Sequence, residues 1–151
     1  MPYRISKTIE LQSGHMLSKH PGHCKYPHGH TRQVEIVLEA EQLDANDMVC
    51  DFTVIKEALA DFMERMDHAL CMNTDDPMFA TLKMAYGARV IPFEHRDPTT
   101  EIIAQMVFDV VKKSLAEYAA RPNTPFVVAR GVRLARVRVW ETSTAWAEYM
   151  E

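Results

Sequence analysis

His28-Gly-His30-Thr-Arg32-Gln-Val34-Glu-Ile36-Val-Leu38-Glu-Ala40 decides how this chain folds. Val34, Ile36, Leu38 and Ala40 share one parity, while Gln33, Glu35 and Glu39 hold the other, with Val37 as the exception. Alternation at period two is the mark of a strand with one buried face. Counting back along the apolar row gives Arg32, His30 and His28. Upstream, Tyr3, Ile5, Ile9 and Leu11 alternate with Arg4, Ser6, Thr8, Glu10 and Gln12, and the same parity carried forward reaches His15. The Pro/Gly/His-rich stretch from Ser18 to Pro27 reads as the loop between two antiparallel strands. All three histidines therefore extend the apolar rows of neighbouring strands, provided no bulge shifts the register.

Imidazole is the commonest neutral metal ligand. Three imidazoles leave one position of a tetrahedral zinc open, the arrangement of a catalytic rather than a structural site. Zinc (Zn2+) suits neutral nitrogen ligands where no redox change is needed. Nearby Cys24 has three readings: a fourth ligand that closes the shell, an inert thiol, or a thiolate that moves a proton beside the metal. His20 and His23 lie in the loop and read as solvent-facing.

From Asp51 the period changes. Val54, Ile55, Leu59, Phe62, Met63 and Met66 have helical spacing, with Asp51 or Thr53 as cap. The segment His68 to Pro98 reads as irregular, with prolines at 77, 92 and 98. Asp97-Pro98 reads as the start of a second helix, Asp capping and Pro in the first turn. Its stripe is Ile102, Ile103, Met106, Val107, Val110, Val111 and Leu115. A third strand spans about Val132 to Trp140, and a fourth about Ala145 to Met150. The fold expected is α+β: a four-stranded antiparallel sheet with two helices on one face, in the order ββααββ, forming one domain over residues 1–151. Its open edges and uncovered face invite assembly into an oligomer.

Three further groups can carry chemistry. Asp67-His68 is either a polar helix end or a carboxylate that orients an imidazole for proton transfer. Glu141 ends the apolar row Val137, Val139. It is either a surface carboxylate or one at a pocket rim, able to accept two parallel hydrogen bonds from a cyclic amidine edge. Glu101 is explained as favourable charge on a helix's first turn.

The chain has 151 residues, 47% hydrophobic and 25% charged, with a formal charge of −4 and no basic stripe, which argues against nucleic-acid binding. Neither a signal core nor an apolar run of membrane-spanning length is present, and three scattered cysteines do not make a disulfide scaffold. The reading is a cytoplasmic protein without membrane partners.

Taken together, Ser-Gly-His15, Cys24-x-x-x-His28-Gly-His30, Met48-Val-Cys-Asp51-Phe52, Met66-Asp67-His68-x-x-x-x-Asn73, Pro98-Thr-Thr-Glu101 and Val139-Trp-Glu141-Thr142 resemble the 6-pyruvoyl- and 6-carboxy-tetrahydropterin synthase family. The resemblance covers about residues 3 to 150. It implies a tunnelling fold whose subunit sheets join into an oligomeric barrel, typically a homohexamer of two trimers with active sites between subunits. It implies His15, His28 and His30 as zinc ligands, Cys24 as the catalytic thiol and Asp67 with His68 as its partner dyad. Glu141 falls on the pterin anchor, with Thr99, Thr100 and Glu101 lining the same pocket.

The three-residue gap between Cys24 and His28 looks like the bacterial 6-carboxy branch. That branch converts 7,8-dihydroneopterin triphosphate to 6-carboxytetrahydropterin, acetaldehyde and triphosphate on the route to queuosine. Alternatives are the pyruvoyl product on the same fold, and a non-catalytic zinc-stabilised assembly module with Cys24 as fourth ligand. Lys19, Lys25, Arg32, Arg89 and Arg96 are candidate cations for the triphosphate, with no spacing that selects among them.

Overall fold

The computed structural model describes residues 2–151. Strand β1 (Tyr3–Met16) pairs antiparallel with β2 (His28–Ala40) over thirteen residue pairs, from Tyr3 opposite Ala40 to His15 opposite His28. The register needs no bulge, so the parity of both strands holds from the apolar core to the histidines. After β2 the chain forms α1 (Phe52–Met66), β3 (Ala69–Asn73), α2 (Phe79–Tyr86), β4 (Val90–Phe93), α3 (Thr100–Ala119), β5 (Arg133–Thr142) and β6 (Ala145–Met150).

The sheet has six strands in the order β4-β3-β1-β2-β5-β6. Four of them form an antiparallel set, but β3 runs parallel to β1 and β4 parallel to β3. The expectation of four antiparallel strands and two helices is thus corrected to a mixed six-stranded sheet with three helices. Within one chain this sheet is open, with β4 and β6 at its edges, and is not a closed barrel.

The missed elements lie in the segment that reads as irregular. β3 is short and almost wholly buried, so Ala-Leu-Cys-Met-Asn shows no alternation. β4 has four residues and contains Pro92, which an edge strand tolerates because one row of its backbone groups needs no partner. The apolar residues of α2 remain largely exposed, Met84 and Tyr86 most of all, so the helix shows no buried stripe.

Helices α1 and α3 pack on each other and on one face of the sheet. The core between them joins Leu11, Val34, Ile36, Leu38, Val137 and Val139 from the strands to Ile55, Leu59, Ile103, Val107, Phe108 and Val111 from the helices. Asp51 caps α1, its side chain accepting from the Thr53 amide at 2.8 Å. The opposite face of the sheet is polar. Glu35 accepts from Ser6 and Arg136, Glu148 from Arg138, and buried Glu39 from Arg4 and Arg133. Among the described residues no helix is long and apolar enough to cross a membrane.

Candidate metal centre

The β1–β2 register builds the centre. His15 lies opposite His28, and His30 opposite Ser13, two residues before His15 on the same face. Opposed residues of an antiparallel pair point to the same side, so all three rings converge. Ring centroids are 4.5 Å apart for His15 and His28 and 5.1 Å for each pair with His30. One nitrogen from each ring falls in a group whose members all lie within 4.8 Å of one another.

Two rings have their tautomer fixed from behind. His15 Nδ1 donates to the Pro98 carbonyl at 2.8 Å, and His28 Nδ1 to the Tyr26 carbonyl at 2.7 Å. Each commits its proton there and leaves Nε2 with a lone pair, the usual outer-shell arrangement of metal-binding histidines. The Nε2 atoms of His15 and His30 are buried without a hydrogen-bond partner. An orphaned buried acceptor is costly unless something occupies its lone pair, and a divalent cation does so. Burial lowers the His15 pKa to about 4, helped by the Arg32 charge and opposed by the Pro98 bond. Burial also lowers His30, again with Arg32, while Glu141 opposes. Both are neutral at physiological pH, the form that binds metal. The donor set fits a metal ion.

Pro98 reaches His15 because the turn before α3 is pinned. Buried Asp97 accepts from Asn73 Nδ2 at 3.0 Å and from the Lys19 amide at 2.8 Å. With its carboxylate so used, Asp97 does not cap the helix. Thr99 caps it instead, accepting from the Ile102 amide, and α3 starts at Thr100, two residues later than Pro98 suggests.

Glu141 sits where β5 and β6 lose register, between Trp140 and Thr142. It continues the inward row of Val137 and Val139, and its Oε1 comes to 3.7 Å from Nε2 of both His15 and His30. Thr100 Oγ1 donates to that same oxygen at 3.1 Å. Glu101, one residue on, is exposed on the first turn of α3.

The other sequence candidates lie apart. Cys24 is half-buried in a short 3-10 turn, His23–Lys25, and is not a member of the histidine group. Asp67 ends α1, accepting from the Gln12 amide at 2.9 Å through one oxygen and from His68 Nδ1 at 3.0 Å through the other. The Gln12 hydrogen bond is the first reason its carboxyl lies below the usual carboxylate range. His68 is exposed and borders a pocket of about 630 Å3 with Gln12, Gly29, Thr31, Tyr86 and Arg89. Gln12, Gly29 and Thr31 have the parity opposite to the histidines, and Ser13 and His30 of the histidine row line the same pocket.

Among the candidate cations, Arg89 donates to the carbonyls of Asp67 and Glu64 beside this pocket. Lys19, Lys25 and Arg96 are exposed, whereas Arg32 is fully buried behind the imidazoles. Alternation marks which way Arg32 points. It does not reveal that a guanidinium is enclosed there, because an inward charge depends on partners from distant segments.

Chemically, the centre offers a cation site with only protein nitrogens on one side and a carboxylate held next to the open side. Comparison with known proteins supplies the family. The family model for 6-pyruvoyl tetrahydropterin synthase matches residues 4–151. A 6-carboxy-5,6,7,8-tetrahydropterin synthase of Aquifex aeolicus is 32% identical over an alignment of length 170, covering 100% of this chain and 99% of the relative. The Haemophilus influenzae enzyme of the same name is 26% identical, covering 99% of each chain. In fold, the chain is similar to an uncharacterized protein of Wolinella succinogenes (TM-score 0.79, 20% identity, covering 100% of this chain and 99% of that one). It is also similar to the 6-pyruvoyltetrahydropterin synthase of Plasmodium vivax (TM-score 0.72, 15% identity, 100% and 98%). With the full-length family match and its three convergent imidazoles, this chain belongs to the 6-pyruvoyl/6-carboxy-tetrahydropterin synthase family.

Proposed function

We propose that this protein is a cytoplasmic, zinc-dependent 6-carboxy-5,6,7,8-tetrahydropterin synthase. Its reaction is 7,8-dihydroneopterin triphosphate plus water to 6-carboxy-5,6,7,8-tetrahydropterin, acetaldehyde and triphosphate, on the route to queuosine. The observation that carries this reading is the set of three imidazoles with two orphaned Nε2 atoms, in a chain that aligns end to end with relatives of that name.

His15, His28 and His30 hold the zinc, which supplies Lewis acidity toward the side-chain hydroxyls of the substrate. Glu141 accepts hydrogen bonds from the amidine edge of the pterin, with Thr99, Thr100 and Glu101 around the ring. The Cys24 thiolate removes a proton from the substrate side chain, and the Asp67–His68 pair moves a second proton on its other side.

Asp67 and His68 are not members of the histidine group of their own subunit. A homohexamer of two trimers, in which a neighbouring subunit brings its dyad to this centre, supplies the missing side. The uncovered polar face of the sheet and its two open edges support such assembly.

The test is incubation of zinc-loaded protein with 7,8-dihydroneopterin triphosphate and identification of every product. Acetaldehyde with 6-carboxytetrahydropterin is the expected result. A pyruvoyl product without acetaldehyde would move the protein to the other branch, and absence of any turnover would remove the assignment.

A further inference from the structure

Along the inward row of β2 (His28, His30, Arg32, Val34, Ile36, Leu38), two positions are potential ligands and three are aliphatic. Arg32 alone brings a charge inside, with none of its side chain exposed. A guanidinium stays protonated in proteins, so its charge must be met where it lies. Its Nη1 donates to Thr100 Oγ1 at 3.0 Å, and the Thr100 hydroxyl in turn donates to Glu141 Oε1 at 3.1 Å. Its Nη2 lies 3.3 Å from His15 Nδ1. That nitrogen already donates to Pro98, so the contact is packing between two donors rather than a hydrogen bond. Nε has no partner. The charge that offsets Arg32 is the Glu141 carboxylate.

The Thr100 hydroxyl can rotate, so its direction is set by the neighbours that use its lone pairs and its proton. With Nη1 occupying its lone pair, its proton is left for the carboxylate. We propose that Arg32 is a positioning residue: from behind the imidazoles it orients the Thr100 hydroxyl and, through it, holds the Glu141 carboxylate turned toward the ligand side of the centre. Oε1 is thereby fixed, and its second lone pair together with Oε2 is left for the two bonds of the bound molecule. A chain of directed bonds anchored on a buried cation gives the carboxylate one orientation before the ligand arrives, which reduces what binding must order. The proposal deepens the reading above, since it takes a pterin as the molecule that Glu141 receives.

The test uses the full-length, zinc-loaded protein and its variants Arg32→Met, Arg32→Lys and Thr100→Val. Neopterin binding is followed by quenching of pterin fluorescence, alongside turnover, zinc stoichiometry and a crystal structure of each variant. Losing a charge-assisted hydrogen bond at this point should weaken neopterin binding and raise KM by about 10- to 100-fold. kcat should change by less than about threefold and zinc stoichiometry not at all.

Thr100→Val should match Arg32→Met, and the double variant should be no weaker than either single one, because both break one relay. Arg32→Lys should recover part of the loss, and Glu141 should swing away from position 100 in the crystals of Arg32→Met. If Arg32→Met fails to fold, Arg32→Lys and Thr100→Val carry the same comparisons.

Unchanged neopterin binding with Glu141 in place would overturn the proposal, as would loss of zinc in place of loss of pterin. If the wild-type protein binds no neopterin, the functional reading fails. The Glu141 position in Arg32→Met crystals then still decides the role of Arg32.

Discussion

His15 and His28 stand directly opposite each other in the β1–β2 ladder, and their ring centroids are 4.5 Å apart. The convergence of the centre is thus a property of strand register, and shifting β2 by one residue would send His28 and His30 to the far face.

His15→Ala removes the most buried of the three rings, and two half-buried imidazoles remain. Metal affinity should fall by more than about 100-fold, beyond the effect of losing an outer-shell partner. Competition against a chromophoric chelator measures this. Near-wild-type affinity would remove His15 from the ligand set.

Protonation gives a signed pH dependence in the metal-free protein. The folded His15 pKa is lowered to about 4 from 6.5, so between these values the unfolded chain binds more protons than the folded one. Stability should be full above about pH 6.5 and fall as pH drops toward 4, by at most about 1.4 kcal/mol per pH unit from this group. Melting curves of metal-free protein across that range, set against His15→Gln, isolate the contribution. An identical slope in the variant would contradict it.

Asp97→Ala strips the partners from the buried amide of Asn73 and from the Lys19 N–H, and frees the turn that aims the Pro98 carbonyl at His15. A loss of about 2–4 kcal/mol in denaturant unfolding is expected. Metal affinity should drop about 10- to 100-fold, because His15 loses its fixed tautomer. Unchanged affinity at reduced stability would show that the turn supports the fold alone.

Cys24→Ala should keep full zinc stoichiometry and lose about 100-fold or more in kcat, the range of a missing acid–base group. Metal analysis beside steady-state kinetics separates the two roles. Loss of zinc in this variant would make the sulfur a ligand.

Alternation in Tyr3–Leu11 and Val34–Ala40 made β1, β2 and the common face of the three histidines legible, because a half-buried strand writes its orientation into every second residue. Spacing likewise revealed the apolar stripes of α1 and α3. Strands β3 and β4 left no such trace: one is buried on both faces and the other is a four-residue edge carrying Pro92. Asp97 looked like a cap because local sequence offers it to the helix. Asn73 and Lys19, far along the chain, claim its carboxylate instead.

Alternation along two paired strands is enough to place three imidazoles on one face, since side-chain parity is a local property of extended backbone. What stands behind them comes from the packing of distant segments. The Pro98 carbonyl that fixes one tautomer, the approach of Glu141 to two Nε2 atoms, and the enclosure of Arg32 against Thr100 all join segments far apart in the chain. Such contacts depend on how strands and helices pack in three dimensions, and no periodicity within a single segment encodes them.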